Sequence, residues 1–132
     1  MSRIVQFAKR FFENSVWRDH VKLSEDGVTA ALSMLSTNPD AYFEMTDGGA
    51  IGGMLTPLWF APDVIVASEL FWYSEQPGEG AKLRERFEAW AKDRGARFVQ
   101  FSAQINEYEE RLRRTLATQG YDAKEIGFIK EI

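Results

Sequence analysis

The sequence predicts an α+β protein in which helices flank a mixed central β-sheet, giving three layers. Three observations favour this class: helical periodicity at both ends of the chain, a long apolar stretch in its middle, and a strand, turn, helix and strand in succession after it. The chain has 132 residues, a length typical of one core. We therefore expect a single domain over residues 1–132.

The first two elements are predicted helices. Apolar residues recur at i, i+3, i+4 and i+7 from Ile4 to Phe11, which is typical of one face of an amphipathic helix. Ser24 can cap a second helix, because its hydroxyl can accept a hydrogen bond from the first turn. The sequence Asn38-Pro39-Asp40 then ends that helix.

The middle of the chain is predicted to be sheet. Asp47-Gly48-Gly49 is a tight-turn sequence between a strand at Tyr42–Met45 and a return strand that begins at Ala50. The run from Val64 to Tyr73 is nearly continuous in apolar residues, as expected of a central strand that is covered on both faces.

A helix and a parallel strand are predicted next. The turn Gln76–Ala81 contains two glycines and leads into a helix that Gly95 ends. Arg97–Ala103 alternates well enough for a strand, and a strand, helix, strand connection makes its two strands parallel.

The last predicted elements are a helix and a closing strand. Asn106 can cap the helix and Gly120 can end it. Ile126, Phe128 and Ile129 suit a terminal strand that closes the sheet.

Composition argues against several classes of function. The net charge is −4, which disfavours a nucleic-acid partner, because proteins that bind nucleic acid without sequence preference use an excess of Lys and Arg to neutralise phosphates. The chain has no cysteine and one histidine, His20, so thiol chemistry is excluded and a metal site is not expected. No segment approaches about 20 apolar residues, so we expect no membrane span and a cytoplasmic location.

Glu69 is the carboxylate that stands out. It interrupts the most hydrophobic strand, where an ionised carboxylate must be paired, reach solvent in a cleft, or have a raised pKa. This position makes Glu69 a candidate site residue, and a pairing or strand-edge role is the alternative.

The glycine turn is the second candidate site. It lies between a buried strand and a helix start, where free backbone N–H groups and the helix dipole both favour an anion. It lacks the Lys-Ser/Thr pair of a Walker loop and the spacing of a dinucleotide fingerprint. A tight strand-to-helix turn without a ligand would also use glycines.

The same turn resembles the acyl-CoA motif of the GNAT N-acetyltransferase family, Gln/Arg-x-x-Gly-x-Gly/Ala with a leucine three residues further on. Gln76, Gly78, Gly80 and Leu83 match this motif in a turn that is one residue shorter. The order of elements agrees over nearly the whole chain. The opening, Phe12–Ser15, is similar to small bacterial and phage-encoded members.

The resemblance implies a GNAT-like acyl-CoA N-acyltransferase fold. It implies transfer of an acetyl group from acetyl-CoA to a primary amine of a small molecule or protein. Homodimerisation is left open. It implies a base at Glu69, acting directly or through water, an acid at Tyr108 or from solvent, and Ser102 beside the thioester. It also implies a set of residues that contact the coenzyme: Leu70, Phe71, Trp72 and Tyr73 at the pantetheine arm, Gln76, Gly78, Glu79, Gly80, Ala81 and Lys82 at the pyrophosphate, and Asn106 near the thioester.

The sequence departs from the family pattern at two places. Pro77 lacks an N–H and Glu79 adds negative charge beside the expected pyrophosphate, so both weaken anion binding. Leu116 stands where many members have the tyrosine that acts as acid, and Tyr108 is the nearby substitute.

Two other functions stay open at this point. One is a catalytically silent binding protein with the GNAT fold, such as a phage or virion accessory protein. The other is an interaction domain whose partner surface is formed by aromatic residues such as Trp59, Phe60 and Trp72.

Overall fold

The computed structural model describes residues 2–132. They form two compact units, one that extends to Ser102 and one at Ala103–Ile132. The first unit contains three helices and four strands: α1 (Arg3–Glu13), α2 (Glu25–Thr37), β1 (Ala41–Met45), β2 (Gly49–Leu58), β3 (Ala61–Ser74), α3 (Glu79–Asp93) and β4 (Phe98–Gln100). The second unit contains the helix α4 (Glu109–Thr118).

The first unit contains a mixed sheet, as predicted. Its strand order is β1-β2-β3-β4. β1 and β3 each pair antiparallel with β2, whereas β3 pairs parallel with β4. The parallel pair confirms the predicted strand, helix, strand connection through α3.

Apolar residues are buried on both faces of this sheet. On one face, Leu83, Phe87 and Ala91 of α3 are fully buried against Ile51 and Ala67. On the other face, Leu32 and Leu35 of α2 pack with Ala41, Phe43 and Phe71. Burial of apolar side chains on both faces explains why β3 reads as an almost unbroken apolar run.

The caps predicted at Ser24, Gly95 and Gly120 are present, whereas the prediction that Asn106 caps the last helix is wrong, because Tyr108 is the N-cap of α4. Gly27 N donates to Ser24 Oγ at 3.0 Å, so Ser24 caps α2 as expected. Gly95 and Gly120 have φ of 86° and 88° and follow α3 and α4 in the left-handed conformation that glycine adopts without strain.

The prediction of a terminal strand is wrong. The chain after Gly120 has no regular secondary structure, and Ile126, Phe128 and Ile129 are exposed. The segment 121–132 mixes these side chains with charged residues and with Gly127, so it offers too little apolar surface on one side to offset the entropy of ordering its backbone.

Deleting residues 125–132 should leave the melting temperature unchanged within about 2 °C, because no buried apolar group or strand pairing is lost. Thermal unfolding followed by circular dichroism measures this. A fall of about 5 °C or more would show that the tail stabilises the fold in solution.

Candidate functional site

The glycine turn lies between β3 and α3, as predicted. Gly78 is the N-cap of α3 and has a φ of 81°, a conformation that favours glycine. The backbone N–H groups of Gly80 and Ala81 lie in the first turn of α3 and have no acceptor among residues 2–132. The helix dipole adds positive potential at this end, so the turn can receive an anion.

Trp72 supports the turn from β3. Its indole Nε1 donates to the carbonyl oxygen of Gly80 at 3.0 Å. Trp72 is half-buried, so its assignment to an exposed partner surface is wrong, whereas Trp59 and Phe60 are exposed at the β2–β3 connection. The strand that is expected to hold the pantetheine arm therefore also fixes the position of the turn.

The basic side chains near the turn differ in whether they form ion pairs. Arg84 is buried and pairs with Glu88, and Arg86 pairs with Glu44 at 2.7 Å. Lys82 is exposed and has no ion pair within the described part of the chain. Lys82 is thus the cation of this region that can turn toward an anion.

β3 carries an extra residue opposite two glycines of β2. Gly52 pairs with Phe71 and Gly53 pairs with Glu69, which leaves Leu70 unpaired as a β-bulge. The pairing of β3 with β4 covers only Val66–Ser68 on the β3 side. The bulge therefore comes just after the point where the β3–β4 ladder ends.

Glu69 lies at this point. Its Oε1 accepts a hydrogen bond from the backbone N–H of Ser102 at 3.0 Å. Burial raises the pKa of Glu69 to about 7, and the Ser102 N–H only partly offsets that rise. A carboxylate with a pKa near neutrality can accept a proton from a substrate at physiological pH.

The contacts of Ser102 are made by its backbone. The Ser102 side chain is exposed, and its main-chain N–H, rather than its hydroxyl, contacts Glu69. The preceding residue, Phe101, packs edge-on against Trp72 with ring centroids 5.0 Å apart. The structure thus brings Glu69 and Ser102 together, and it links Trp72 to Gly80.

Asn106 and Tyr108 belong to the second unit. Asn106 Oδ1 accepts from Tyr108 N at 2.9 Å, so Asn106 caps a turn that precedes α4 rather than α4 itself. Tyr108 is exposed, and a hydrogen bond with Glu107 raises the pKa of its hydroxyl. Roles for Asn106 in coenzyme binding and for Tyr108 as acid stay predictions.

Sequence reasoning missed a cavity on the α1–α2 face of the first unit. Its volume is about 390 Å³. None of its lining residues is charged, and apolar side chains of α1, α2, β3 and the α1–α2 connection form most of its wall, among them Phe7, Phe11, Trp17, Val28, Ala31 and Leu70. The signal in the sequence was the excess of aromatic residues in and after α1, which exceeds what one packed helix face needs.

The fold is that of the GNAT acyl-CoA N-acyltransferases. A transcriptional regulator from Bacillus halodurans superposes with a TM-score of 0.74 at 13% identity, covering 100% of this chain and 96% of its own. Glucosamine-6-phosphate N-acetyltransferase from Arabidopsis thaliana gives 0.65 at 13%, covering 96% and 92%. AAC(6')-Iy in complex with a CoA bisubstrate analogue gives 0.65 at 12%, covering 94% and 93%.

At these identities the likeness shows the fold alone. No protein-family model matches the sequence, and no curated protein matches it. Among residues 2–132, no helix is long and apolar enough to cross a membrane, and no group of three or more His, Asp or Glu residues is placed to hold a metal ion.

The raised pKa of Glu69 predicts a pH-dependent stability difference. Burial lifts the pKa from 4.5 to about 7, so the stability that Glu69 contributes is fully present below pH 4.5 and is lost as pH rises through 7. Glu69→Gln cannot ionise and should be more stable than the parent by at most about 3 kcal/mol near pH 8, with the difference shrinking toward pH 4. Urea unfolding at both pH values measures it.

The matched control for this measurement is Asp63→Asn, on the exposed start of the same strand. We expect little change in stability from it at either pH. A stability difference between Glu69→Gln and the parent that does not vary with pH would contradict the raised pKa.

Proposed function

We propose that this protein is an acetyl-CoA-dependent N-acetyltransferase that acts on a primary amine. The observation that carries the proposal is the environment of Glu69, a half-buried carboxylate with a pKa of about 7, next to the bulge at Leu70 and bonded to Ser102 N. Structures with the same fold include proteins named as N-acetyltransferases, which supports this reaction class.

The residues of the turn fit a pyrophosphate. Gly80 and Ala81 offer backbone N–H groups at a helix N-terminus, and Lys82 supplies an exposed positive charge. The backbone groups of Leu70–Tyr73 pair with the pantetheine arm, because the pairing of β3 with β4 ends at Ser68. The bound cosubstrate supplies an activated acetyl group and a thiolate leaving group.

Glu69 then removes the proton that keeps the amine non-nucleophilic. That first proton passes to the Glu69 carboxylate directly or through one water, and the neutral amine forms an N–C bond to the acetyl carbonyl carbon. As the thioester C–S bond breaks, the nitrogen loses its second proton, which passes through water to the departing thiolate.

Gly80→Asp should weaken acetyl-CoA binding by at least about 10-fold, because it places a negative charge where backbone N–H groups meet phosphate. A Cβ at this position would lie 3.1 Å from Ser74 Oγ, so Gly80→Ala is the matched control for steric effects alone. Calorimetric titration of each protein with acetyl-CoA measures both. Equal affinity in the parent and the Asp variant would remove the turn as the binding site.

A catalytically silent coenzyme-binding protein is the second candidate function. Glu79 in the first turn of α3 and Leu116 at the position of the usual acid favour it. It predicts that acetyl-CoA binds but that no primary amine causes release of free CoA. An interaction domain would instead show no acetyl-CoA binding.

A further inference from the structure

We infer that the acceptor is a primary amine with a large apolar body, and that this body occupies the cavity between α1, α2 and β3. The inference rests on the proposed acetyl transfer and adds the chemical class of the second substrate. It comes from the lining of the cavity and from where the cavity meets β3.

The cavity has the size of a small-molecule site. Its volume of about 390 Å³ falls within the range of roughly 300–1,000 Å³ that ligand pockets occupy. An aromatic ring with a short alkyl arm, or an alkyl chain of comparable size, fits this space. Either would exchange water for contact with rings such as those of Phe7, Phe11 and Trp17.

The lining offers few hydrogen-bond partners to a highly polar acceptor. Ser15 and Tyr73 are its hydroxyl-bearing residues, and both hydroxyls are engaged: Ser15 Oγ donates to Phe12 O at 2.8 Å, and Tyr73 OH donates to Glu75 Oε2 at 3.1 Å. A sugar or polyamine would therefore find few partners in this lining to replace its hydrogen bonds to water. The acceptor that this cavity favours thus differs from aminoglycosides and glucosamine 6-phosphate, for which proteins of this fold are named.

The cavity meets β3 at the bulge. Leu70 lines it and is the extra residue of the bulge, whereas Glu69, the residue before it, does not line the cavity. The pairing of β3 with β4 ends at Ser68, so we place the amine nitrogen at the Leu70 end of the cavity, where the gap beyond that pairing leads to Glu69. A neutral amine is favoured over an ammonium at such an apolar wall, which assists the proton transfer to Glu69.

Direct binding tests the inference without acetyl-CoA. We expect calorimetry near pH 8 to show that 2-phenylethylamine and hexylamine bind at least about 10-fold more tightly than ethanolamine and glucosamine. Ala31→Phe places a ring at the edge of the cavity and should weaken binding of 2-phenylethylamine by about 10-fold or more. Ala30→Phe is the matched control, because Ala30 is exposed like Ala31 but does not line the cavity.

Tighter binding of the polar amines, or equal effects of Ala31→Phe and Ala30→Phe in two folded proteins, would overturn the inference. Release of free CoA from acetyl-CoA with the same amines tests the proposed function separately. Turnover confined to polar amines would keep the transferase and overturn the apolar acceptor. If apolar amines bind, Ala31→Phe weakens that binding, and no free CoA is released, the cavity is an amine site and the proposed acetyl transfer is wrong.

Discussion

Glu69→Gln is expected to lower turnover by about 10²–10⁴-fold while leaving acetyl-CoA affinity unchanged. The substitution keeps the shape of the side chain and an oxygen that can accept from Ser102 N, but it removes the basic carboxylate. Free-CoA release with a competent amine measures turnover, and calorimetry measures affinity.

The pH profile distinguishes a base from a structural residue. In the parent protein, turnover should rise as pH increases through about 7, because only the ionised Glu69 can accept a proton. The gap between parent and variant should be widest above that pH and should narrow below it, where the parent carboxyl is itself protonated. Asp63→Asn should keep the parent profile, and a Glu69→Gln enzyme within twofold of the parent across pH would exclude Glu69 as the base.

Gly49→Ala is expected to destabilise the fold by about 3 kcal/mol, near the upper end for an overpacked core. A Cβ on Gly49 would stand 2.3 Å from the carbonyl oxygen of Tyr73 and 3.0 Å from Leu83 Cδ1. The carbonyl belongs to the neighbouring strand β3, so it cannot move aside as a flexible side chain would. Urea unfolding measures the free energy of unfolding.

Gly127→Ala is the matched control, because no heavy atom lies within 4 Å of the added Cβ. Its free energy of unfolding should stay within about 0.5 kcal/mol of the parent value. If the two alanine variants were equally stable, the close approach of β2 to β3 at Gly49 would not exist in solution.

The parts of the fold that were predictable are those encoded over short distances. Ser24, Gly95 and Gly120 mark helix ends through local backbone chemistry, and the turn at Gly78 follows from its position between an apolar run and a helical repeat. Glu69 could be singled out because one carboxylate in an apolar strand is a local anomaly. Its raised pKa then follows from burial.

The parts that were not predictable depend on which distant segments meet. The bulge at Leu70 is set by the register of β3 against β2, which no single strand encodes. The cavity depends on how closely α1 and α2 approach the sheet, and aromatic residues such as Phe11 are compatible with either a filled or an open space. The terminal strand was wrong because apolar residues such as Phe128 predict burial only where a partner surface exists.

The hydrogen bond from Trp72 to Gly80 makes the fluorescence of Trp72 sensitive to changes at the glycine turn. Indole emission responds to the polarity and charge around the ring, and the indole of Trp72 is tied to the first turn of α3, where the proposed phosphates would arrive. Trp17, Trp59 and Trp90 emit as well, so the signal of Trp72 is obtained as the difference between the parent protein and Trp72→Phe. Coenzyme arrival at the turn thus becomes visible as a spectral change, without a label and without knowledge of the amine.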